Sequence, residues 1–234
     1  MGLKPLFGIF GGAFDPPHNG HVALAAGAIA QCGLSRLFVI PTGQAWHKAR
    51  PLSAASDRLA MARLAFAHLP EVVVDSRETE RDGPTYTIDT LLALQAEHPA
   101  ADWVLLLGAD QWASFTQWHR WQELRQLAII LIAARAGVYW PEGAFDAKKT
   151  AFLPIIELDL PLQLVSSTQV RLQAAQLLTT PDAASPMAWT ALPDKLVSKA
   201  VASYISDHRL YTLPDASAIS AISAISPIYS NLLI

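Results

Sequence analysis

Two histidines three residues apart, His18 and His21, stand just after a pair of adjacent glycines, Gly11 and Gly12. The whole stretch runs Leu6-Phe7-Gly8-Ile9-Phe10-Gly11-Gly12-Ala13-Phe14-Asp15-Pro16-Pro17-His18-Asn19-Gly20-His21. Its apolar opening reads as a buried strand. The glycines let the chain turn sharply and bring its backbone close to a ligand. Asp15-Pro16-Pro17 forbids helix until it is past. Asn19, a good helix N-cap, then precedes the apolar run from His21 to Ala26. Strand, glycine turn and helix together aim backbone N–H groups and the positive end of a helix dipole at the turn, and phosphate is the natural occupant. His18 and His21 share roughly one face of the first helical turn and border that anion site. An imidazole donates a hydrogen bond to a phosphate oxygen and carries charge when protonated. The plainer alternative is two surface histidines beside a turn. Their place directly after the first strand weighs against it, because ligands of doubly wound sheets bind at the carboxyl ends of strands.

Other residues offer compatible chemistry. Lys48, in Gly43-Gln44-Ala45-Trp46-His47-Lys48, follows the second strand on the same sheet edge and is a point charge suited to phosphate; an ordinary surface lysine fits equally well. Thr87, in Pro84-Thr85-Tyr86-Thr87-Ile88-Asp89-Thr90, offers a backbone N–H and a hydroxyl, or simply caps a helix. Asp110, after Gly108-Ala109, ends a strand, where an ionised carboxylate accepts bonds from ribose hydroxyls or caps the next helix. Trp112, Trp118 and Trp121 crowd the following segment; an indole face suits a flat heteroaromatic ring, although most tryptophans serve packing. Ser166, Ser167 and Thr168 bring hydroxyls and N–H groups to a helix start, with Arg171 one turn on for charge-assisted bonds to phosphate. Alone, those four read as a cap and a solvated arginine.

The elements that must hold these residues alternate. Strands are expected at Leu6–Phe10, Arg36–Pro41, Val72–Asp75, Trp103–Leu107, Leu127–Ala133 and Ile155–Leu160. Helices are expected over Asn19–Cys32, ending near Gly33, and over Ser53–Leu69, Thr87–His98, Thr168–Leu178 and Lys195–Ser206, with short ones at Trp112–Phe115 and Arg120–Leu124. Leu59, Ala62, Leu64 and Phe66 are the packing positions of the second helix, and Ser166, Ser167 or Thr168 caps the fourth. Repeated βα units mean a Rossmann-like α/β fold: a doubly wound, mainly parallel sheet with helices on both faces. Surface loops are expected over Arg135–Thr150 and Thr179–Pro193. The domain spans 1–212, its C-terminal helical part about 166–212. Residues 213–234, with Ser-Ala-Ile three times in succession from Ser217, form a low-complexity tail expected to be poorly ordered.

Composition narrows the function classes. A length of 234 residues suits one α/β domain. No apolar run reaches membrane-spanning length, although the mean hydropathy is +0.26. The single cysteine, Cys32, excludes an intrachain disulfide and a multi-cysteine metal site. The start lacks a signal-peptide layout, so a cytoplasmic protein is expected. A net charge of −3 argues against a broad nucleic-acid surface but not against a nucleotide pocket. No protein-held metal is expected.

Gly11 through His21 resembles the signature of the nucleotidyltransferase superfamily that carries a His-x-Gly-His motif. Val165-Ser166-Ser167-Thr168-Gln169-Val170-Arg171 is similar to that superfamily's Ser-Ser-Thr-x-x-Arg motif. The Tyr86–Thr90 and Gly108–His119 stretches narrow the likeness, over residues 5 to 212, to nicotinate-nucleotide adenylyltransferase. The resemblance implies catalytic roles for His18, His21, Lys48 and Arg171, with Lys48 on the triphosphate. It implies ATP binding by Gly11, Gly12, Phe14, Gly108, Asp110, Ser166, Ser167 and Thr168. It implies that Thr87 meets a nicotinate carboxylate, that Trp118 stacks on the pyridine and that His119 supplies a backbone amide, leaving Trp112 and Trp121 to packing. The loop Thr179–Pro193 is longer than the compact connection usual in the family.

The reaction so implied joins AMP from ATP to nicotinate mononucleotide, giving deamido-NAD and pyrophosphate in NAD biosynthesis. Mg²⁺ would ride on the phosphates, held by substrate oxygens and water. The partners are these small molecules, with no nucleic acid or membrane; a homo-oligomer stays open. One alternative is a sister enzyme acting on nicotinamide mononucleotide or phosphopantetheine. Another is a non-catalytic nucleotide-binding module on the same fold.

Overall fold

Runs of Val, Ile, Leu and Phe form the strands of the computed structural model, which describes residues 4–43, 51–133, 155–159, 165–178 and 195–211. The strands are β1 (Leu6–Gly12), β2 (Arg36–Pro41), β3 (Val72–Val74), β4 (Asp102–Gly108), β5 (Ile129–Ala133) and β6 (Ile155–Leu158). They form one sheet in the order β3-β2-β1-β4-β5-β6, and every neighbouring pair is parallel. The order reverses between β1 and β4, and such a switch point opens a crevice at the carboxyl ends of the strands.

The helices are α1 (Asn19–Cys32), α2 (Ala55–Phe66), α3 (Arg77–Glu80), α4 (Thr87–Glu97), α5 (Ala109–Ala113), α6 (Trp121–Leu127), α7 (Ser167–Leu178) and α8 (Lys199–Asp207). They cover both faces, so the inner strands β1, β2, β4 and β5 carry near-continuous apolar runs instead of alternating. Successive side chains nevertheless go to opposite faces. Phe10, Leu37, Val39, Val104, Leu106 and Leu131 enter one core, which takes the apolar sides of α1, α2, α7 and α8. Ile9, Phe38, Ile40, Leu105, Leu107, Ile130 and Ile132 enter the other, against α4 and α6. The expected doubly wound architecture is the one observed.

Several local expectations are corrected. The N-cap of α1 is His18, not Asn19. The second helix is shorter than Ser53–Leu69, and Leu64 is 37% exposed; the buried stripe is Arg58, Met61, Ala62, Ala65 and Phe66. The last helix starts at Lys199 instead of Lys195, because Ser198 caps it by accepting the Val201 N–H at 3.3 Å. The chain leaves β4 straight into α5, so helix runs over Ala109–Ala113 and a 3₁₀ turn over Phe115–Gln117. The four-residue α3 is not foreseen in the sequence. Gly33 ends α1 in the left-handed conformation, as expected. The loops 135–150 and 179–193, the tail 213–234 and Lys48 lie outside the described residues. Among the described residues no helix is long and apolar enough to cross a membrane.

Candidate active site

Parallel pairing brings three chemistry-bearing strand ends level. Gly12 pairs with Pro41 across β1 and β2, and Ile9 pairs with Leu105 across β1 and β4. Beyond that last pair β1 runs on to Gly12 and β4 to Gly108, so both strands end toward the same edge of the sheet. Thus Gly11, Gly12, Thr42, Gly43, Gly108 and Asp110 share one edge of the sheet, at its switch point. A Cβ on Gly108 would lie 2.8 Å from the Asp110 carboxylate, so glycine there lets that carboxylate fold back over the strand end. Asp110 itself is exposed, in the first turn of α5, and the N-cap is Gly108.

His18 and His21 cap α1 reciprocally. The His21 N–H donates to His18 Nδ1 at 3.3 Å, and the His18 N–H donates to His21 Nδ1 at 3.1 Å. This is a capping box in which imidazoles replace the usual hydroxyl and carboxylate. The rings stack with centroids 3.7 Å apart. Because both Nδ1 atoms accept, each neutral ring carries its hydrogen on Nε2. The same two residues therefore satisfy the helix start and present two N–H donors beside it. Phe14 supports them from behind. Its ring is 1% exposed, edge-on to Phe10, Phe66 and His21, so any contact between Phe14 and a nucleotide falls to its backbone.

The distant serine–threonine turn reaches the same loop. Ser167 Oγ donates to the Pro16 carbonyl at 2.9 Å, and Arg171 Nη1 donates to the Asp15 carbonyl at 2.8 Å. Arg171 Nη2 donates to Thr168 Oγ1 at 2.9 Å. Ser166 Oγ accepts the Gln169 N–H at 3.2 Å, so Ser166 is the residue that caps α7. Thr168 and Ser166 are exposed beside this contact.

A second pair of stretches meets further along the crevice. Thr87 begins α4, and Trp118 and His119 precede α6. The Tyr86 and His119 rings lie 4.3 Å apart. Arg120 pairs with Glu123 at 2.7 Å and with Asp89 at 3.4 Å, tying the start of α6 to the first turn of α4. Trp118 is half-buried against Phe115, which Trp112 and Trp121 also contact. The two stretches that the sequence assigns to one acceptor are thus neighbours.

Four residues behind the site escaped sequence reading. Arg58 is 2% exposed and donates to four backbone carbonyls: Ser53 at 3.0 Å, Ala13 at 3.2 Å, Thr42 at 2.6 Å and Gly43 at 3.3 Å. Burial lowers its proton affinity, and the Asp15 carboxylate works the other way. Asp15, 1% exposed, accepts the Tyr211 hydroxyl at 2.7 Å and the Ser53 N–H at 3.3 Å. Burial, and then the Asp15 charge, push the Tyr211 phenol well above its ordinary range. The fourth is Glu78, a buried carboxyl that accepts the Thr90 hydroxyl at 2.8 Å. Burial raises its pKa above the ordinary 4.5, against the opposing pull of that hydrogen bond. A Cβ on Gly43 would run into the Glu78 carbonyl, so only glycine lets the second loop pass there. A signal for Arg58 exists in the sequence: with Met61, Ala62, Ala65 and Phe66 it occupies the apolar stripe of α2.

No group of three or more His, Cys, Asp or Glu is gathered where it could hold a metal among the described residues. The donors that line the site are imidazole and guanidinium N–H groups. They suit phosphate oxygens, whereas Mg²⁺ takes oxygen ligands.

Comparison with known proteins bears on the fold and the family. Residues 9–173 match the cytidylyltransferase-like family model. The chain is 47% identical over 204 residues to a protein of Albidiferax ferrireducens named a probable nicotinate-nucleotide adenylyltransferase, covering 87% of this chain and 96% of that one. A protein of the same name from Methylibium petroleiphilum is 37% identical, covering 88% and 92%. The fold is similar to that of Plasmodium falciparum nicotinic acid mononucleotide adenylyltransferase in complex with NaAD. That match has a TM-score of 0.67 and 18% identity, and covers 88% of this chain and 97% of that one.

Proposed function

The chain belongs to the nicotinate-nucleotide adenylyltransferase family, and we propose on that footing that it transfers AMP from ATP to nicotinate mononucleotide. The products are deamido-NAD and pyrophosphate, and the place of the reaction is NAD biosynthesis in the cytoplasm. The observation that carries this reading is the hydrogen bond from Arg171 to the Asp15 carbonyl, which joins the Ser-Ser-Thr-x-x-Arg turn to the His-x-Gly-His loop.

The reaction needs no protein nucleophile, because the attacking mononucleotide phosphate is already anionic. One of its oxygens bonds to the α-phosphorus, and the bond from that phosphorus to the bridging oxygen breaks. Catalysis then consists of positioning and charge neutralisation. The Nε2–H groups of His18 and His21 hold α- and β-phosphate oxygens as charge moves toward pyrophosphate. The positive end of α1 adds to the same field. Lys48 and Arg171 steady the outer phosphates, with Ser166, Ser167 and Thr168 beside them. Gly11, Gly12 and the Phe14 backbone border the nucleotide, and Gly108 and Asp110 serve the ribose. Mg²⁺ enters with ATP as part of the substrate and neutralises phosphate charge. At the acceptor end Thr87 meets the pyridine carboxylate, Trp118 stacks on the ring and His119 offers its N–H.

Pyrophosphate release measured with nicotinate mononucleotide, nicotinamide mononucleotide and phosphopantetheine in parallel tests the reading. The acid pyridine should be used best. Preferred turnover of phosphopantetheine, or ATP binding with no turnover on any acceptor, would overturn it.

A further inference from the structure

Asp15 is a junction of segments far apart in sequence. Its carboxylate accepts the Tyr211 hydroxyl and the Ser53 N–H, and its carbonyl accepts Arg171. Arg58 ties the carbonyls of Ala13, Thr42 and Gly43 together beside it. The three segments that would surround a triphosphate are the loop carrying His18 and His21, the loop leading toward Lys48, and the start of α7. All three converge on this buried cluster. Tyr211 comes from none of them. It lies beyond α8 and, 196 positions from Asp15, closes the cluster from the C-terminal side.

We propose that Tyr211 is a positioning residue for adenylyl transfer, its hydroxyl holding Asp15 and hence the turn on which His18 and His21 are mounted. The inference rests on the proposed reaction for its kinetic readout only. Loss of the hydroxyl removes the 2.7 Å hydrogen bond that fixes one oxygen of a buried carboxylate to the C-terminal side of the fold, so Asp15 is held less tightly. Pro16, Pro17 and His18 follow directly, so that loosening passes into the reciprocal histidine cap.

The control is Tyr204. Its hydroxyl donates to Asp57 at 3.0 Å and docks α8 on α2, a bond to a helix and not to the Asp15 carboxylate. In Tyr211→Phe the kcat at saturating ATP and mononucleotide should fall about tenfold, the size expected for one buried hydrogen bond to a charged group. The KM for the mononucleotide should stay within about twofold, because the acceptor site is elsewhere. Tyr204→Phe should lose thermal stability and keep its kcat. In a His21→Ala background Tyr211→Phe should have a smaller further effect than in wild type, since one of the two imidazoles it positions is gone. Without substrate, the imidazole Cε1–H resonances of His18 and His21 should shift in Tyr211→Phe and not in Tyr204→Phe.

Normal kcat in Tyr211→Phe, an equal fall in Tyr204→Phe, or full additivity with His21→Ala each overturns the inference. Unmoved imidazole resonances overturn it whatever the reaction proves to be. An inactive wild-type chain whose histidine resonances still respond to Tyr211→Phe would sink the proposed reaction alone.

Discussion

The backbone N–H of His18 donates to Nδ1 of His21, and the backbone N–H of His21 donates to Nδ1 of His18. Each ring is thereby a cap for the helix start and a donor kept in one tautomer. The two duties can be separated. His18→Asn keeps a good N-cap residue and removes the imidazole, so thermal stability should stay within ~0.5 kcal/mol while kcat collapses. His21→Ala should lower kcat far more than mononucleotide affinity and also cost roughly 1 kcal/mol of stability, as the loss of half a capping box does. Urea unfolding beside steady-state kinetics reads both effects. Near-normal turnover in either variant would remove the assigned role.

Arg58 holds four carbonyls from a buried position. Arg58→Met fills much of the same volume but leaves those four carbonyls without the guanidinium. A loss of about 2 to 4 kcal/mol is expected from chemical denaturation, because several buried carbonyls lose their charged donor at once. A loss below about 1 kcal/mol would mean that water replaces the guanidinium.

Glu78 gives the stability a pH dependence of known sign. Its carboxyl is buried and its folded pKa is raised above the ordinary 4.5. Between the unfolded and the folded value the native state binds more proton than the unfolded one, so this group lowers stability as pH rises through that window. Glu78→Gln keeps an oxygen for the Thr90 hydroxyl and cannot ionise. The variant should be at least as stable as wild type at pH 7, with a flatter stability curve above about pH 4.5. Unfolding midpoints across pH 4 to 8 check this. Identical slopes in the two proteins would mean that Glu78 titrates normally.

Trp118 is half-buried against Phe115, with the tilted Tyr86 and His119 rings in contact at the neighbouring position. Trp118→Ala should raise the KM for the mononucleotide about tenfold or more, in keeping with the loss of one aromatic stacking surface, and leave the KM for ATP near its starting value. An unchanged mononucleotide KM means that the pyridine stacks elsewhere.

The sequence by itself determined the alternation of strand and helix, the glycine turn with its two histidines, and the existence of the Ser-Ser-Thr-x-x-Arg turn. Each is a local pattern, set by periodicity, by proline and glycine, or by spacing within a few residues. The parallel, doubly wound class followed from the same βα repetition, whereas the strand order is read only from the structure. What only the tertiary structure decided is who holds the turn. The partners of Asp15 are at positions 53, 171 and 211, and those of Arg58 are backbone carbonyls, which no residue type announces. The α1 cap was legible as a cap, yet the choice of His18 over Asn19 depends on where the His21 ring comes to rest. A buried charge looks like any other charge in a sequence; it becomes a structural centre only when folding removes the water around it and supplies donors and acceptors from remote parts of the chain.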